Sequence, residues 1–212
     1  MTLLNFDYSL FQFINHLAAV YPSLNAVMRF FAQQGEYVFY AGIIFYWFTR
    51  KEQNRWMVIQ SLTAACVALG ISGLLGDFLY RDRPFVAHHV IQLIPHATNA
   101  SFPSDHATGA FVIAASIWFC RKREGWAWLA LALGVAFSRV WVGVHYPGDV
   151  LTGILLGVFT AKAIHIWLPK WRMGTRFLHQ GMILYERLEQ RILPLHRTRS
   201  NQQASVATRE KQ

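Results

Sequence analysis

Three short stretches of this chain hold residue types that together could handle phosphate: Arg83-Pro84, then Pro103-Ser104-Asp105-His106, then Ser138-Arg139 with His145 six positions on and Asp149 four beyond that. Two guanidinium groups offer forked donors for phosphate oxygens, and two imidazoles can serve as nucleophile and proton donor. His145 is the candidate nucleophile: a neutral ring nitrogen attacks phosphorus and water later hydrolyses the phosphohistidine, which splits one difficult displacement into two. Asp149 is expected on the other ring nitrogen, where a carboxylate fixes the tautomer and stabilises the charge that develops. His106 is then left as general acid for the leaving oxygen. Arg83 and Arg139 would neutralise the equatorial oxygens. Ser104 and the backbone N–H groups at the start of its helix would add donors where the helix dipole favours an anion. Ser138 joins them as a further hydroxyl of the phosphate-binding set.

Taken singly, these residues have ordinary explanations. Arg139 alone reads as an arginine snorkelling to an interface, Asp149 as an acid opening a helix after Pro147-Gly148, and Ser104 as a helix cap. The order and spacing of the whole set are what an accident would not supply. His88, His89 and His96 with His106 raise a zinc reading, but carboxylate or thiolate partners at ligand spacing are lacking, so no metal is assigned. His16, His165, His179 and His196 read as solvated or interfacial.

The elements that must position this set are apolar. Of 212 residues, 54% are hydrophobic and 15% charged, with eight Trp and sixteen Phe, a balance too apolar for an ordinary soluble domain. Cys66 and Cys120 lie in apolar stretches and read as small buried hydrophobes rather than a disulfide framework. No cleavable signal peptide is expected, because the first residues lack a basic region and Asp7, Asn15 and His16 interrupt the apolar run. Leu3 to Val20 is a mixed, amphipathic helix suited to the membrane interface, stopped or kinked at Pro22. Ser23 through Trp47, interrupted by Arg29 and Gln33-Gln34-Gly35-Glu36, is either one tilted span or a short span after a re-entrant turn. Trp56 to Leu79, Ser104 to Phe119, Gly125 to Val144 and Asp149 to Leu168 each approach the ~20 residues a crossing needs. The fold class is therefore all-α: a polytopic membrane bundle of five or six transmembrane helices with an N-terminal interfacial helix. One domain covers residues 1–199, its motif core about 56–168, and 200–212 form a polar, disordered tail.

Lys and Arg set the orientation. The formal charge of +9 gathers at Arg50, Lys51 and Arg55, at Arg121, Lys122 and Arg123, and beyond Leu168, not along a helix that could enter a nucleic-acid groove. These segments and the tail should be cytoplasmic, which turns the motif residues to the exterior or periplasm. Counting back from Lys122 to His106 and forward to Arg139 gives antiparallel helices that both end roughly 24 to 26 Å above the basic turn. The loop from Tyr80 to Phe102 emerges on that side, so Arg83 can join them.

These motifs resemble the type 2 phosphatidic acid phosphatase superfamily of membrane lipid phosphatases, whose soluble relatives include vanadium haloperoxidases. The resemblance covers about Trp56 to Leu168 and rests on Arg83-Pro84, Pro103-Ser104-x-His106 and Ser138-Arg139-x5-His145-x3-Asp149. Within it, Arg83-Pro84-Phe85-Val86, Leu93-Ile94-Pro95-His96-Ala97 and Ser101-Phe102-Pro103-Ser104-Asp105-His106 are similar to the bacitracin-resistance type of undecaprenyl-diphosphate phosphatase. Two departures stand out. Gly76 occupies the place of the superfamily's usual Lys, so Arg81 is either its substitute or, the reading favoured for it alone, a plain rim charge, and Asp105 replaces a usual Gly and is expected to tune the neighbouring arginines.

The resemblance implies hydrolysis of undecaprenyl diphosphate to undecaprenyl phosphate and inorganic phosphate at the outer leaflet of the bacterial cytoplasmic membrane. That reaction recycles the cell-wall lipid carrier and confers bacitracin resistance, and no cofactor is implied. The implied partners are the isoprenoid diphosphate and the bilayer, with no nucleic acid, while nothing in the sequence sets an oligomeric state. The same chemistry on phosphatidylglycerophosphate, phosphatidic acid or lipid A is one alternative. A non-catalytic binder or transporter of anionic lipids, using Arg83 and Arg139 to hold but not cleave, is the other. Labelling of introduced cysteines in intact cells checks the topology: a cysteine in the Arg121 to Arg123 turn should stay protected from a membrane-impermeant reagent, and external labelling there inverts the orientation.

Overall fold

The computed structural model describes residues 3–192, so the expected tail, with His196, Arg197, Arg199, Arg209 and Lys211, lies outside the described residues. Among the described residues every regular element is helical: α1 (Leu3–Val20), α2 (Asn25–Phe48), α3 (Glu52–Phe78), the short α4 (Pro84–Ala87), α5 (Asp105–Cys120), α6 (Lys122–Trp141), α7 (Pro147–Trp167) and α8 (Arg172–Ile192). The chain divides into two units, one ending at Trp167 and one beginning at Leu168. Two stretches, Glu52–Phe78 and Pro147–Lys170, are long and apolar enough to cross a membrane by themselves. By contrast, α5 has 16 residues and α6 opens on Lys122-Arg123-Glu124.

In the first unit, α1 buries Phe11, Asn15 and Ala18, whose spacing of four and three places them on one face. Pro22 starts a single 3-10 turn, because its ring cannot continue the i→i−4 ladder. α2 then runs unbroken through Gln33-Gln34-Gly35-Glu36, so the single-helix reading holds over the re-entrant one. Its glycines admit α6 at close range: a methyl group on Gly35 would lie 2.5 Å from Val135 Cγ2, and one on Gly42 would enter the Trp128 ring. α5 sits at the centre, packed on α3, α6 and α7. Gly153 and Gly157 let α7 approach it backbone to backbone, since a Cβ at either would lie 2.7 Å from the carbonyl oxygen of Ser104 or Thr108. Small residues four apart are how helices come this close when no hydrophobic effect drives them together.

The second unit contains a helix that the sequence reading did not anticipate. Met173, Phe177, Leu184, Leu188 and Ile192 of α8 are all exposed and recur at multiples of a helical turn, forming one apolar stripe on a segment otherwise read as basic tail. Two smaller expectations also change. Cys66 is exposed on α3 rather than buried. His165 is partly buried, 3.2 Å from Gln60 Oε1 and stacked on Phe119, which removes the solvated half of its reading and leaves the interfacial one.

The segment between α3 and α5 has little regular structure and is held by side chains and single backbone bonds. Asn15 of α1 donates through Nδ2 to the carbonyls of Ile91 and Trp141, both at 2.9 Å, and accepts from Ile91 N at 2.9 Å. Leu93 N donates to Val142 O at 3.1 Å, and Ser101 N to Arg81 O at 2.8 Å. The turn that follows α6 can reach this segment only because Gly143 adopts φ +84° with Ile91 O against it, where a Cβ would stand 2.6 Å from that oxygen. Gly143→Ala should therefore destabilise the fold by about 1–3 kcal/mol, the usual size of strain in left-handed backbone. A lowered unfolding midpoint in detergent is the check, and an unchanged midpoint would contradict the tight contact.

Candidate active site

His145 sits in the turn between α6 and α7, 2% exposed. Its Nδ1 lies 2.8 Å from the carbonyl oxygen of Ser101, which can only accept, so Nδ1 carries the proton and Nε2 presents a lone pair. This is the tautomer a nucleophile at Nε2 requires. The group that sets it is the Ser101 carbonyl and not the Asp149 carboxylate, whose nearer oxygen is 3.7 Å from Nδ1. Asp149, fully buried, acts one step back. Its Oδ2 accepts from Ser101 Oγ at 2.5 Å and from Tyr146 N at 2.9 Å, while Oδ1 accepts from Arg81 Nη1 at 2.9 Å. The carboxylate thus ties the end of the turn that carries the imidazole, at Tyr146, to Ser101 and Arg81 of the segment between α3 and α5.

Burial pushes the His145 imidazole down to about 4, and the charges of Arg139 and Arg83 act in the same direction against the opposing pull of Asp149. The ring is neutral at physiological pH, and its Nε2 lone pair accepts from Arg83 Nη1 at 3.0 Å, a donor it must leave to reach phosphorus.

The two arginines are used differently. Arg83 is 4% exposed, and every one of its nitrogens is engaged by the protein. Nε donates to Asn99 O and Oδ1, both at 3.1 Å, Nη2 donates to Asn99 Oδ1 and Ala100 O at 3.0 Å, and Nη1 donates to Val144 O at 3.0 Å and meets His145 Nε2 at 3.0 Å. It staples the Asn99-Ala100 segment to the His145 turn and places positive charge beside Nε2.

Arg139, 1% exposed on α6, donates through Nη1 to Ala32 O of α2 at 2.6 Å. Its Nε and Nη2 are buried without a hydrogen-bond partner, and so is the hydroxyl of Ser104, which itself is fully buried. A buried donor left unmet costs roughly 1–3 kcal/mol, and more when it is charged. An anion completing these donors would recover that cost.

His106, on the first turn of α5, is placed differently again. It faces a largely apolar cavity of about 470 Å³ bounded by Phe39, Ile43, Leu69, Gly109 and Ile113, with Glu36 and Asp105 at its polar end. Its Nε2 lies 3.7 Å from Glu36 Oε2. Arg139, His145 and Arg83 are near enough to act on it electrostatically, so the structure does bring the three motifs together as their spacing implied.

Three expected phosphate ligands are engaged elsewhere. Ser138 turns its hydroxyl back to Val135 O at 2.6 Å, the usual fate of a serine within a helix. Arg81 bridges Asp149 and Asp7, the latter at 2.7 Å, and lies over the Tyr146 ring at 3.7 Å, so it does not replace the charge missing at Gly76. Asp105 accepts from Ser72 Oγ at 2.6 Å and bonds neither Arg81 nor Arg83, while its charge still acts on Arg83 as the tuning reading expected. Among the described residues no group of three His, Cys, Asp or Glu side chains converges as a metal site.

The sequence assigned no site role to Ser101, Asn99, Asp7 or Glu36, and it raised His96 only as a zinc ligand and as part of a motif. Asp7 and Glu36 had a signal, since each is an acid inside an apolar helix. Ser101 and Asn99 had none, because they act through contacts whose partners are 16 to 48 positions away.

A buried imidazole, a guanidinium with open donors and a carboxylate-held turn inside a helical bundle define a phosphoryl-transfer centre. The chain belongs to the PAP2 superfamily, whose family model matches residues 57–173. It is similar to the bacitracin transport permease protein BcrC of Bacillus licheniformis, 42% identical over 87% of this chain and 89% of that protein. It is also similar to the undecaprenyl-diphosphatase BcrC of Bacillus subtilis, 35% identical over 72% of this chain and 79% of that one. The crystal structure of Aquifex aeolicus LpxE superposes with a TM-score of 0.65 at 29% identity, covering 74% of this chain and 93% of that one.

If the open donors of Arg139 serve the anion, Arg139→Lys, which keeps the charge but loses the fork, should lower kcat about a hundredfold. Steady-state rates beside an unfolding midpoint make the test, and a rate within threefold of wild type would remove Arg139 from the site.

Proposed function

We propose that this protein is an undecaprenyl-diphosphate phosphatase of the cytoplasmic membrane, working through a phosphohistidine at His145. The single observation that supports this most is the neutral, buried His145 held with Nε2 unprotonated beside Arg83 and within the field of Arg139. The undecaprenyl-diphosphatase named above supplies the substrate class.

In the first step Nε2 attacks the terminal phosphorus and a P–N bond forms as the bridging P–O bond breaks. The electron pair leaves on the lipid phosphate oxygen, which takes a proton from His106, an imidazolium at this stage because the bound anion and Glu36, 3.7 Å from its Nε2, both face it. Arg139 and Ser104 receive the equatorial oxygens, and Arg83 supplies charge beside the attacking nitrogen. In the second step water occupies the place of the departed lipid and gives a proton to His106 as it attacks phosphorus. The P–N bond then breaks, releasing inorganic phosphate and restoring neutral His145. The general acid must touch the leaving oxygen, and the leaving group carries the isoprenoid. The apolar cavity on which His106 opens is therefore where the first isoprene units lie. A site at the membrane rim lets the rest of the tail remain in hydrocarbon.

α2, α3, α5, α6 and α7 are the proposed crossings, with α1 at the interface. The basic turns at Arg50-Lys51 and Arg121 to Arg123 are cytoplasmic and the His145 turn faces outward.

A second reading comes from the word permease in one relative's name, which describes transport rather than cleavage. Phosphate release from undecaprenyl diphosphate by purified protein in detergent separates the two. Hydrolysis predicts that His145→Ala abolishes release and that His106→Ala loses about 10²–10⁴-fold, whereas a carrier releases no phosphate in any variant. The sign of the His145 shift adds a pH test. The free base persists down to about pH 4, so the loss of nucleophile should appear only in that acid range and not near 6.5. A kcat/KM profile with its nucleophile limb near 6.5 would contradict this assignment.

A further inference from the structure

A third imidazole stands at the same site. His96 comes from the irregular segment between α4 and α5, and its ring centroid is 6.2 Å from that of His145 and 6.5 Å from that of His106. Its Nδ1 lies 3.1 Å from the carbonyl oxygen of Ala97, an acceptor, so the proton sits there and Nε2 is the atom the ring presents. In a displacement the nucleophile and the leaving group occupy opposite ends of one line through phosphorus. A ring nearly equidistant from the attacking histidine and the proton donor belongs to neither end and lies beside that line.

A count of open donors points to the same place. A transferring phosphoryl group has three equatorial oxygens. Arg83 has all its nitrogens engaged by the protein, and Arg81 is tied to Asp7 and Asp149. Arg139 Nε and Nη2 with Ser104 Oγ are the site's buried side-chain donors without a partner among the described residues, and such donors meet ionised oxygens but not the P–OH of a hydrogen phosphate, which needs an acceptor.

Resting on the hydrolase reading, we propose that His96 contacts the substrate directly, binding the third equatorial oxygen of the transferring phosphoryl group and then the phosphate product. The surroundings agree. His96 lines a cavity of about 430 Å³ with Phe85, Gln92, Leu93, Ile94 and Pro95, which shares no residue with the apolar cavity on which His106 opens. His96 therefore stands outside the cavity proposed for the isoprenoid. Burial lowers the His96 imidazole from its ordinary value, and Arg83 and Arg139 lower it further against the Ala97 carbonyl, so the ring waits neutral. A hydrogen phosphate group brings its own proton. Transfer of that proton from the P–OH to Nε2 leaves an imidazolium paired with a phosphate dianion, with nothing gained from or lost to solvent.

Orthovanadate, a phosphate mimic, titrated calorimetrically into the full chain in detergent tests this without turnover. His96→Ala should weaken orthovanadate binding about tenfold or more, the scale of one hydrogen bond to a charged group. It should also raise the inhibition constant of inorganic phosphate in parallel, and His96→Gln, whose amide can accept from the P–OH or donate to an ionised oxygen, should recover most of both. Unchanged binding in His96→Ala, or a His96→Gln variant no better than alanine at an unchanged unfolding midpoint, overturns the proposal. If alanine prevents folding, His96→Asn, with a shorter reach, replaces it and must bind more weakly than His96→Gln. A protein that binds orthovanadate but leaves undecaprenyl diphosphate intact would refute the substrate reading while still reporting on His96.

Discussion

A guanidinium buried inside a helical bundle must be met by acceptors or by an anion, and Arg139 is met only in part. Its one protein partner is a backbone carbonyl of α2, Ala32, 107 positions away, and the other two nitrogens stay open. An unpaired buried charge is among the most destabilising features a fold can hold. The bundle retains this one by packing around it: α2 closes on α6 through glycines, and α7 closes on α5 in the same way. The stability forgone at Arg139 is what makes the cavity attractive to an anion, so the cost to the fold and the affinity for a phosphate have one origin.

Arg83 shows the opposite use of the same side chain. With each nitrogen satisfied it is a structural clasp, joining Asn99-Ala100 to Val144 and resting against His145. Its charge still reaches the site, although its hydrogen bonds do not. Asp149 is likewise displaced from the direct role that its spacing implied. It grips Ser101, Tyr146 and Arg81, and the Ser101 carbonyl, so positioned, orients the imidazole. Asp7 carries the brace further by accepting from Gly148 N at 2.7 Å as well as pairing with Arg81, so α1 is tied to the start of α7. The imidazole that does the chemistry is thereby fixed from α1, from the Arg81 to Ser104 segment and from α7.

The two cavities lie apart. The one reached by His106 is walled by aliphatic and aromatic side chains of α2, α3 and α5, while the one reached by His96 is lined by Phe85 of α4 and by Gln92 to Pro95 of the segment after it. The first gives a long apolar tail a matching wall beside the imidazole that must meet the leaving oxygen.

Helix positions and the identity of the central residues could be read from the chain itself, because both depend on local pattern. An apolar run of about one membrane thickness forms a helix in any neighbourhood that excludes water, and Arg139, His145 and Asp149 are brought to one turn by spacings of six and four. Partnership could not be read in the same way. That His145 answers to Ser101 and not Asp149, that Ser138 folds back on its own helix, that Asp105 takes Ser72, and that Arg81 is already bound all follow from where segments dozens of residues apart come to rest. The same holds for Cys66 facing outward and for α8, whose apolar stripe was hidden under a basic composition. A hydrogen bond is decided by a few tenths of an ångström and by direction, and those depend on the packed helices, not on any short stretch of chain.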